Sequence, residues 1–307
     1  MFVFCSCFSD VKSWSNKNFL CLNENKTQVI HVTSRFRKTE HPVVSLDGNA
    51  LSPLESVRNL GVIFDKNLLM IDQVSKICHA ASFSLYKIGQ IRKYLDQKMT
   101  ERLVHSLVMC HIDNCNSLLY NLPATQLNRI QRIQNSAARL VMKARSNESI
   151  SKLLKKLHWL PVHARIDFKI LLLTFLCVRE VAPVYLTELI TAYTPTRTLR
   201  SSQKSLLVPP QINTKFYGSR SFQAAAAELW NKLPDDIKNS DTVDDFKAHL
   251  KTFLFEKSYQ CWVQYVIQVL CWAHLHNNFC LSFSFFLNQR IETYCDMRFI
   301  STVYYYY

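Results

Sequence analysis

Glycine is the residue that most restricts the fold of this chain, because only 4 of its 307 residues are glycine. Nucleotide-binding loops need glycine where the backbone must approach a phosphate closely or adopt a positive φ angle. The sequence contains neither a GxGxxG pattern nor a GxxxxGKS/T pattern. We therefore exclude the nucleotide folds that hold phosphates in glycine-rich loops.

The positive charge of the chain is concentrated in one segment. The whole chain has 37 Lys and Arg residues against 23 Asp and Glu residues, a net charge of +14. Residues 76–165 alone have 15 basic residues against 4 acidic ones, a net charge of +11. Such a surplus favours nucleic acid or an anionic membrane surface as a partner. An ordinary solvated helical face is the alternative.

Hydrophobic periodicity predicts a mainly α chain with a small α+β region at its N-terminus. In the first 70 residues, alternating apolar residues and turn signals predict a helix over 11–20 and short strands over 28–33, 43–46 and 60–64. From residue 72 to residue 145, apolar residues recur every three or four positions, which is typical of helices. The clearest of these predicted helices cover 98–120 and 125–143.

These patterns divide the chain into four predicted segments. They are an α+β region (1–70), a basic helical domain (71–146), a C-terminal helical region (147–257) and an aromatic tail (258–307). Pro161 and Pro183 mark helix boundaries in the third segment. The tail contains no charged residue from Ser258 to Gln289. Because polar residues at 274–278 interrupt this apolar run, we expect neither a membrane span nor a separate domain there.

The cysteine content predicts an intracellular protein. The 11 cysteines are odd in number, and the first residues lack the basic and apolar regions of a signal peptide. We therefore expect free thiols in a reducing compartment, the cytoplasm or the nucleus or both. The cysteines lack the closely paired spacing of zinc sites, so we expect no metal site.

The predicted helix over 125–143 has an apolar stripe and a basic stripe. Arg129, Arg132, Arg139 and Lys143 are 3, 7 and 4 residues apart, so they share one face. None has an acidic residue three or four positions away, whereas a purely solvated helix would gain from such ion pairs. We predict a nucleic-acid-binding set that also includes residues before this helix. The full set is Lys76, Lys87, Arg92, Lys93, Arg129, Arg132, Arg139 and Lys143.

Two pairs of adjacent aspartates could suggest a metal site. Asp235 and Asp236 follow a Leu-Pro pair, and Asp244 and Asp245 precede an apolar periodic segment. Carboxylates in these positions suit the first turn of a helix, where they face backbone N–H groups and the positive end of the dipole. We therefore predict that both pairs lie at helix N-termini.

Several ordered motifs resemble one known family. Residues 14–27 read WSNKNFLCLNENKT and residues 59–65 read NLGVIFD. Further motifs are CNSLLY at 115–120, IQRIQNSAARL at 130–140, LHWLPVHARIDFKILLL at 157–173, APVYL at 182–186 and LWNKLP at 229–234. Over residues 8–257 the chain resembles the C-terminal part of LINE-type (non-LTR, L2/CR1/jockey-like) retrotransposon reverse transcriptases. The tail (258–307) does not resemble them.

The resemblance implies a role for each segment. The first 70 residues are expected to be a remnant of the palm, and the helices over 76–145 correspond to the thumb, which grips the template–primer duplex. Lys26 matches a lysine that approaches the incoming nucleotide, and Gly61 matches a turn near the primer strand. Judged by their own surroundings, Lys26 could be an exposed strand-edge cation and Gly61 a tight bend.

The resemblance also limits the expected activity. Polymerases of this family hold two divalent metals with carboxylates in motifs that precede the segment matched by 14–27. Only Asp10 is acidic among the residues before Trp14. We expect no catalytic residue, no cofactor and no polymerase activity in the chain as it stands. Mg²⁺ is expected only for the complete polymerase.

Two classes of function therefore follow from the sequence. The first is a truncated RNA-directed DNA polymerase whose residual role is non-specific binding of RNA, DNA or an RNA–DNA duplex, without a small-molecule substrate. The alternative is a helical protein that binds a protein partner or attaches to a membrane through its aromatic tail.

Overall fold

The computed structural model describes residues 2–23, 26–34, 44–46, 49–194, 205–214 and 217–275. The protein is mainly helical, with 62% helix and 6% strand, and its antiparallel strands lie near the N-terminus. This confirms the predicted fold class. The chain divides into two compact units between Lys76 and Ile77.

The first unit contains one long helix and two short hairpins. Its elements are α1 (Phe2–Lys17), β1 (Val44–Leu46), β2 (Asn49–Leu51), β3 (Ser56–Asn59) and β4 (Val62–Asp65). β1 pairs with β2, and β3 pairs with β4, both antiparallel. The predicted strand over 28–33 is wrong, because only an isolated bridge from Ile30 to Leu54 forms there. The turn signal at 47–48 lies outside the described residues.

A tight turn joins β3 to β4. Leu60 and Gly61 occupy the turn with φ angles of 47° and 87°. Two successive positive φ angles are typical of a type I′ turn, whose twist matches that of the strands. The strand predicted over 60–64 therefore begins two residues later, at Val62.

The start of the next helix is anchored by the hairpin. The Asp65 carboxylate accepts hydrogen bonds from the N–H groups of Leu69 at 2.8 Å and Met70 at 2.7 Å. The Gln73 side chain accepts one from the Ile63 N–H at 2.9 Å. These bonds satisfy backbone groups where the helix α2 (Ile71–Ile91) begins.

The second unit is an array of helices. After α2 come α3 (Gln97–Val104), α4 (Cys110–Asp113), α5 (Ala124–Met142), α6 (Ile150–Lys156) and α7 (Val162–Val178). They are followed by α8 (Val184–Thr187), α9 (Phe222–Asn231), α10 (Asp235–Lys238) and α11 (Val243–Leu275). Proline immediately precedes α5, α7, α8 and α10. Proline suits these positions, because its fixed φ is compatible with helix entry and the first turn needs no N–H donor.

Two predicted helix boundaries differ from the structure. The helix predicted over 98–120 is interrupted by a π-helical turn, His105–Met109, and ends at Asp113, two residues before Cys115, whose φ is 51°. The helix predicted to end near 257 runs to Leu275, so the first part of the predicted tail belongs to α11. The predicted division at 146/147 stays a prediction, although α5 packs on both α6 and α7 across it.

Helix α7 is the central element of the core. It packs against α5, α9 and α11 and is apolar on several sides, as expected for a helix surrounded by others. Phe175 of α7 stacks on Phe246 of α11 with ring centroids 4.1 Å apart, and Trp230 of α9 lies 6.2 Å from Phe246. These rings hold the C-terminal helices together.

Several helices end at a residue that is not glycine although its φ is positive. Lys143 follows α5 with a φ of 50°, and Glu180 follows α7 with a φ of 56°. For an L-residue this conformation costs about 1–2 kcal/mol. The scarcity of glycine is thus reflected in strained helix ends.

Candidate nucleic-acid interface

The outer face of α5 carries the predicted basic stripe. Ile130, Ala137 and Val141 are completely buried and define the inner face. Arg132 and Lys143 are exposed, and Arg129 and Arg139 are partly exposed. Helix α5 contains no Asp or Glu, and the structure therefore displays cations on this face without a carboxylate on the same helix.

The two partly exposed arginines have distinct surroundings. The Arg129 guanidinium donates to the Gln126 side-chain oxygen at 3.1 Å. The Nε atom of Arg139 is buried and has no hydrogen-bond partner among the described residues. The remaining guanidinium nitrogens of Arg139 are the ones that could reach a phosphate.

Helix α2 and the 3₁₀ turn that follows it contribute two exposed lysines. Lys87 lies 5.3 Å from the centroid of the Phe83 ring, and Lys93 lies 4.8 Å from the centroid of the Tyr94 ring. Within the part of the chain that the structure describes, neither lysine forms an ion pair with a carboxylate. Both cations are therefore accessible to a polyanion.

Arg92 is a correction to the predicted set. Only 8% of this residue is exposed. Its guanidinium donates to the carbonyl oxygens of Leu140 at 2.8 Å, Val141 at 2.9 Å and Leu95 at 2.7 Å. Because its donors face the last carbonyls of α5, Arg92 stabilises a helix C-terminus and is not available to a phosphate.

Lys76 is only partly available. Its ammonium donates to the carbonyl oxygen of Gly61, and its side chain is half-buried. Lys76 and Gly61 both belong to the first unit. This contact stabilises the β3–β4 turn against the start of α2.

Two interactions connect the region of α2 with α5. Near the start of α2, the charge of Arg129 acts on Cys78, where burial raises the pKa of the thiol and the arginine opposes the rise. Beyond the end of α2, Arg92 bonds to the end of α5. The residues just after the end of α2 therefore contact the C-terminal end of α5.

The two residues singled out by family resemblance lie in the first unit. Lys26 is exposed, and its backbone N–H donates to the Asn23 carbonyl at 3.1 Å. Gly61 occupies the tight turn, where a Cβ would meet no atom within 4 Å and only its φ favours glycine. Gly61 does lie in a tight bend, whereas the roles that the resemblance implies for Gly61 and Lys26 stay predictions.

Both aspartate pairs lie at helix N-termini, as predicted. Asp235 and Asp236 are in the first turn of α10, and Asp244 and Asp245 are in the first turn of α11. The Asp245 N–H donates to the Thr242 hydroxyl at 3.1 Å, and that hydroxyl donates to the Asp245 carboxylate at 2.6 Å. Among the described residues, no group of three or more His, Cys, Asp and Glu could hold a metal ion.

A cleft that the sequence did not reveal lies between α3, α4, α7 and α11. Its volume is about 540 Å³. Arg165 of α7 donates to the Asp113 carboxylate at 2.7 Å in its wall. His105 also lines it, and burial together with the charge of Arg165 lowers the pKa of this imidazole. The motif residues Asn116 and Trp159 line the same cleft, which makes them structural neighbours despite their separation in sequence.

No helix within the described ranges combines the length and the apolar character needed to cross a bilayer.

Comparisons of the chain with protein-family models, curated proteins and solved structures found no match.

Proposed function

We propose that the chain is a relative of LINE-type reverse transcriptases and that its residues bind an RNA–DNA duplex, RNA or DNA without base-sequence specificity. The observation that carries this proposal is the outer face of α5. It displays arginine and lysine along one stripe of a helix that contains no carboxylate. Lys and Arg neutralise phosphates irrespective of base sequence, so such a face suits the backbone of any nucleic acid.

The geometry supports phosphate binding better than simple solvation. Exposed Arg132 and Lys143 make no ion pair with any described carboxylate, although such pairs stabilise helices in water. Lys87 of α2 and Lys93 of the turn that follows it are further exposed lysines without an ion pair to a described carboxylate.

Binding to an RNA–DNA duplex, measured by fluorescence anisotropy at two salt concentrations, tests the proposal. The Arg132→Gln/Lys143→Gln variant should bind more weakly, and its slope of log affinity against log salt should be shallower by about 2. Lys232→Gln/Lys247→Gln is the matched control, because it removes two lysines that are ion-paired on other helices. Salt-independent affinity, or equal losses in both variants, would contradict the proposal.

The proposal includes the absence of polymerase activity from the chain as it stands. A primed homopolymer template with Mg²⁺ or Mn²⁺ should give no nucleotide incorporation. Metal-dependent incorporation above background would show that this part of the proposal is wrong.

A second candidate function is binding of a protein partner. Around α8, Val181, Val184 and Tyr185 are exposed by about 70% each, although all are apolar or aromatic. Exposed apolar groups of this kind mark interaction surfaces when they are contiguous. A pull-down that depends on these side chains, without any nucleic-acid binding, would favour this function.

A further inference from the structure

The outer face of α2 combines aromatic rings and positive charge. Val74, Ala81 and Ile88 are buried and define its inner face. On the opposite side of the helix, Phe83 is 59% exposed and Tyr86 is 63% exposed. Two large rings three residues apart on one outer face form an exposed apolar patch of the kind that marks interaction surfaces.

Each exposed lysine of this region is paired with an exposed ring. Lys87 lies over Phe83 at 5.3 Å, and Lys93 lies over Tyr94, which is 77% exposed, at 4.8 Å. No acidic residue occurs between Asp72 and Asp96. Within this segment the rings therefore have cations and no acidic residue beside them in sequence, which favours an anionic partner over an ordinary apolar protein surface.

We propose that the outer face of α2, together with the 3₁₀ turn that follows it, binds unpaired bases of single-stranded RNA or DNA. Phe83, Tyr86 and Tyr94 stack on the bases, while Lys87 and Lys93 contact the phosphates of the same strand. This inference rests on the proposed function and deepens it by naming the form of nucleic acid that the face recognises. Sequence-independent single-strand binding commonly combines exposed aromatic rings with cations in this way.

The chemistry distinguishes a single strand from a duplex. In a duplex the faces of the bases are covered by their stacked neighbours, so protein rings can reach only the backbone and the groove edges. An unpaired base offers its π-face to any aromatic side chain. Phe83 and Tyr86 are separated by about 4.5 Å along the helix axis, which lets them serve neighbouring bases. Lysines alone can contact the phosphates of a duplex, whereas the rings can stack only on the bases of an unpaired strand.

The test compares two probes with the full-length chain. The first is an oligothymidine with one 2-aminopurine, whose fluorescence reports stacking, and the second is an RNA–DNA duplex without overhangs. Phe83→Leu/Tyr86→Leu should lower the affinity for the single strand about tenfold or more and leave duplex affinity unchanged. Tyr185→Leu, on the exposed α8, is the matched control and should change neither affinity.

The possible outcomes separate this inference from the proposed function. If the duplex binds but Phe83→Leu/Tyr86→Leu binds the single strand as tightly as the unmodified chain, the stacking inference is overturned and the proposed function stands. If neither probe binds, the proposed function itself fails. If the unmodified chain self-associates in sedimentation and the double variant is monomeric, the face is a contact between copies, and the inference is again overturned. Circular dichroism verifies that each variant remains folded.

Discussion

The helical unit has exposed cations that are paired with acidic residues and exposed cations that are not. On the C-terminal helices, Lys232 lies 2.7 Å from Glu228 and Lys247 lies 2.9 Å from Asp244. Both pairs have the three- or four-residue spacing that brings side chains together on a helix. On α5, the exposed cations have no acidic residue on the same helix.

The ion-paired lysines are an internal reference for interpreting the positive charge of the α5 face. Lys232 and Lys247 are exposed cations that are neutralised by an acidic residue three or four positions away. Lys251 and Lys257 of α11 are exposed without an ion pair to a described carboxylate. The face of α5 has no acidic residue on its own helix at all. This difference is the reason for proposing that an external anion binds the face of α5.

The largest effect is expected from the core beneath the paired surface. Trp230→Ala should lower the free energy of unfolding by about 3–5 kcal/mol, because it removes a buried ring next to Phe246. It also removes the donor of a 2.8 Å hydrogen bond to the Ser205 carbonyl. Urea denaturation measures the change. Arg132→Gln should change the free energy of unfolding by no more than about 0.5 kcal/mol. An equal loss in both variants would show that the core ring and the surface cation contribute equally to stability.

The next largest effect on stability is expected at Arg92, and its neighbour Lys93 should show almost none. Arg92→Leu should destabilise the protein by about 2–3 kcal/mol, because three carbonyl oxygens lose a charged donor. Lys93→Gln should leave stability nearly unchanged, since Lys93 is exposed. Thermal denaturation and duplex binding should be measured together. A folded Arg92→Leu variant with unchanged stability and weaker duplex binding would indicate that Arg92 contacts nucleic acid after all.

A pH effect is expected from Asp167, on α7. Burial raises the pKa of its carboxyl from 3.8 to about 6, Lys257 opposes the rise and Glu228 adds to it. Between these two pH values the folded state holds more protons than the unfolded state, so stability increases as pH falls from about 6 towards about 4. Above pH 6 the ionised carboxylate destabilises the fold.

Asp167→Asn tests this effect, because the amide does not titrate. The variant should be more stable than the unmodified chain at pH 7 by about 1 kcal/mol, a value reduced for solvent screening, and its stability should depend less on pH in this window. Denaturation at several pH values gives the comparison. Asp244→Asn, at an exposed position, is the control and should not alter the pH dependence. Parallel pH curves for Asp167→Asn and the unmodified chain would refute the effect.

The smallest effect is expected from an exposed ion pair. Lys247→Gln should cost at most about 0.5 kcal/mol, because side chains that remain in water gain little from pairing. Duplex affinity should also be unchanged, since this charge is already neutralised by Asp244. Anisotropy and urea denaturation provide the two measurements. A marked loss of affinity would mean that the paired surface also contacts nucleic acid.

The fold class was predictable because helical periodicity is a local signal. The helix predicted over 125–143 is found as Ala124–Met142, and its apolar stripe is buried as expected. Pro161 and Pro183 immediately precede α7 and α8 because proline restricts the backbone wherever it occurs. The strand over 28–33 failed because a strand also requires a neighbouring strand, and pairing partners are not encoded in its own residues.

The candidate site was only partly predictable for a related reason. Charge and spacing identified the α5 stripe, but the burial of Arg92 depends on carbonyl groups at the distant end of α5. The aromatic face of α2 could have been found, because Phe83, Tyr86 and Lys87 share the helical face opposite the apolar stripe. The cleft near Asp113 and Arg165 requires residues that are 52 positions apart and depends on tertiary packing.

The conformation of Lys143 links stability to binding in an unexpected way. This residue ends α5 with a φ of 50°, a position at which glycine would avoid steric strain of about 1 kcal/mol. Lys143→Gly would therefore favour a sturdier protein while removing a cation from the basic face. Engineering that selects only for thermal stability would accept this change. Such selection would reduce the positive charge of the α5 face, which is the surface proposed to bind a polyanion.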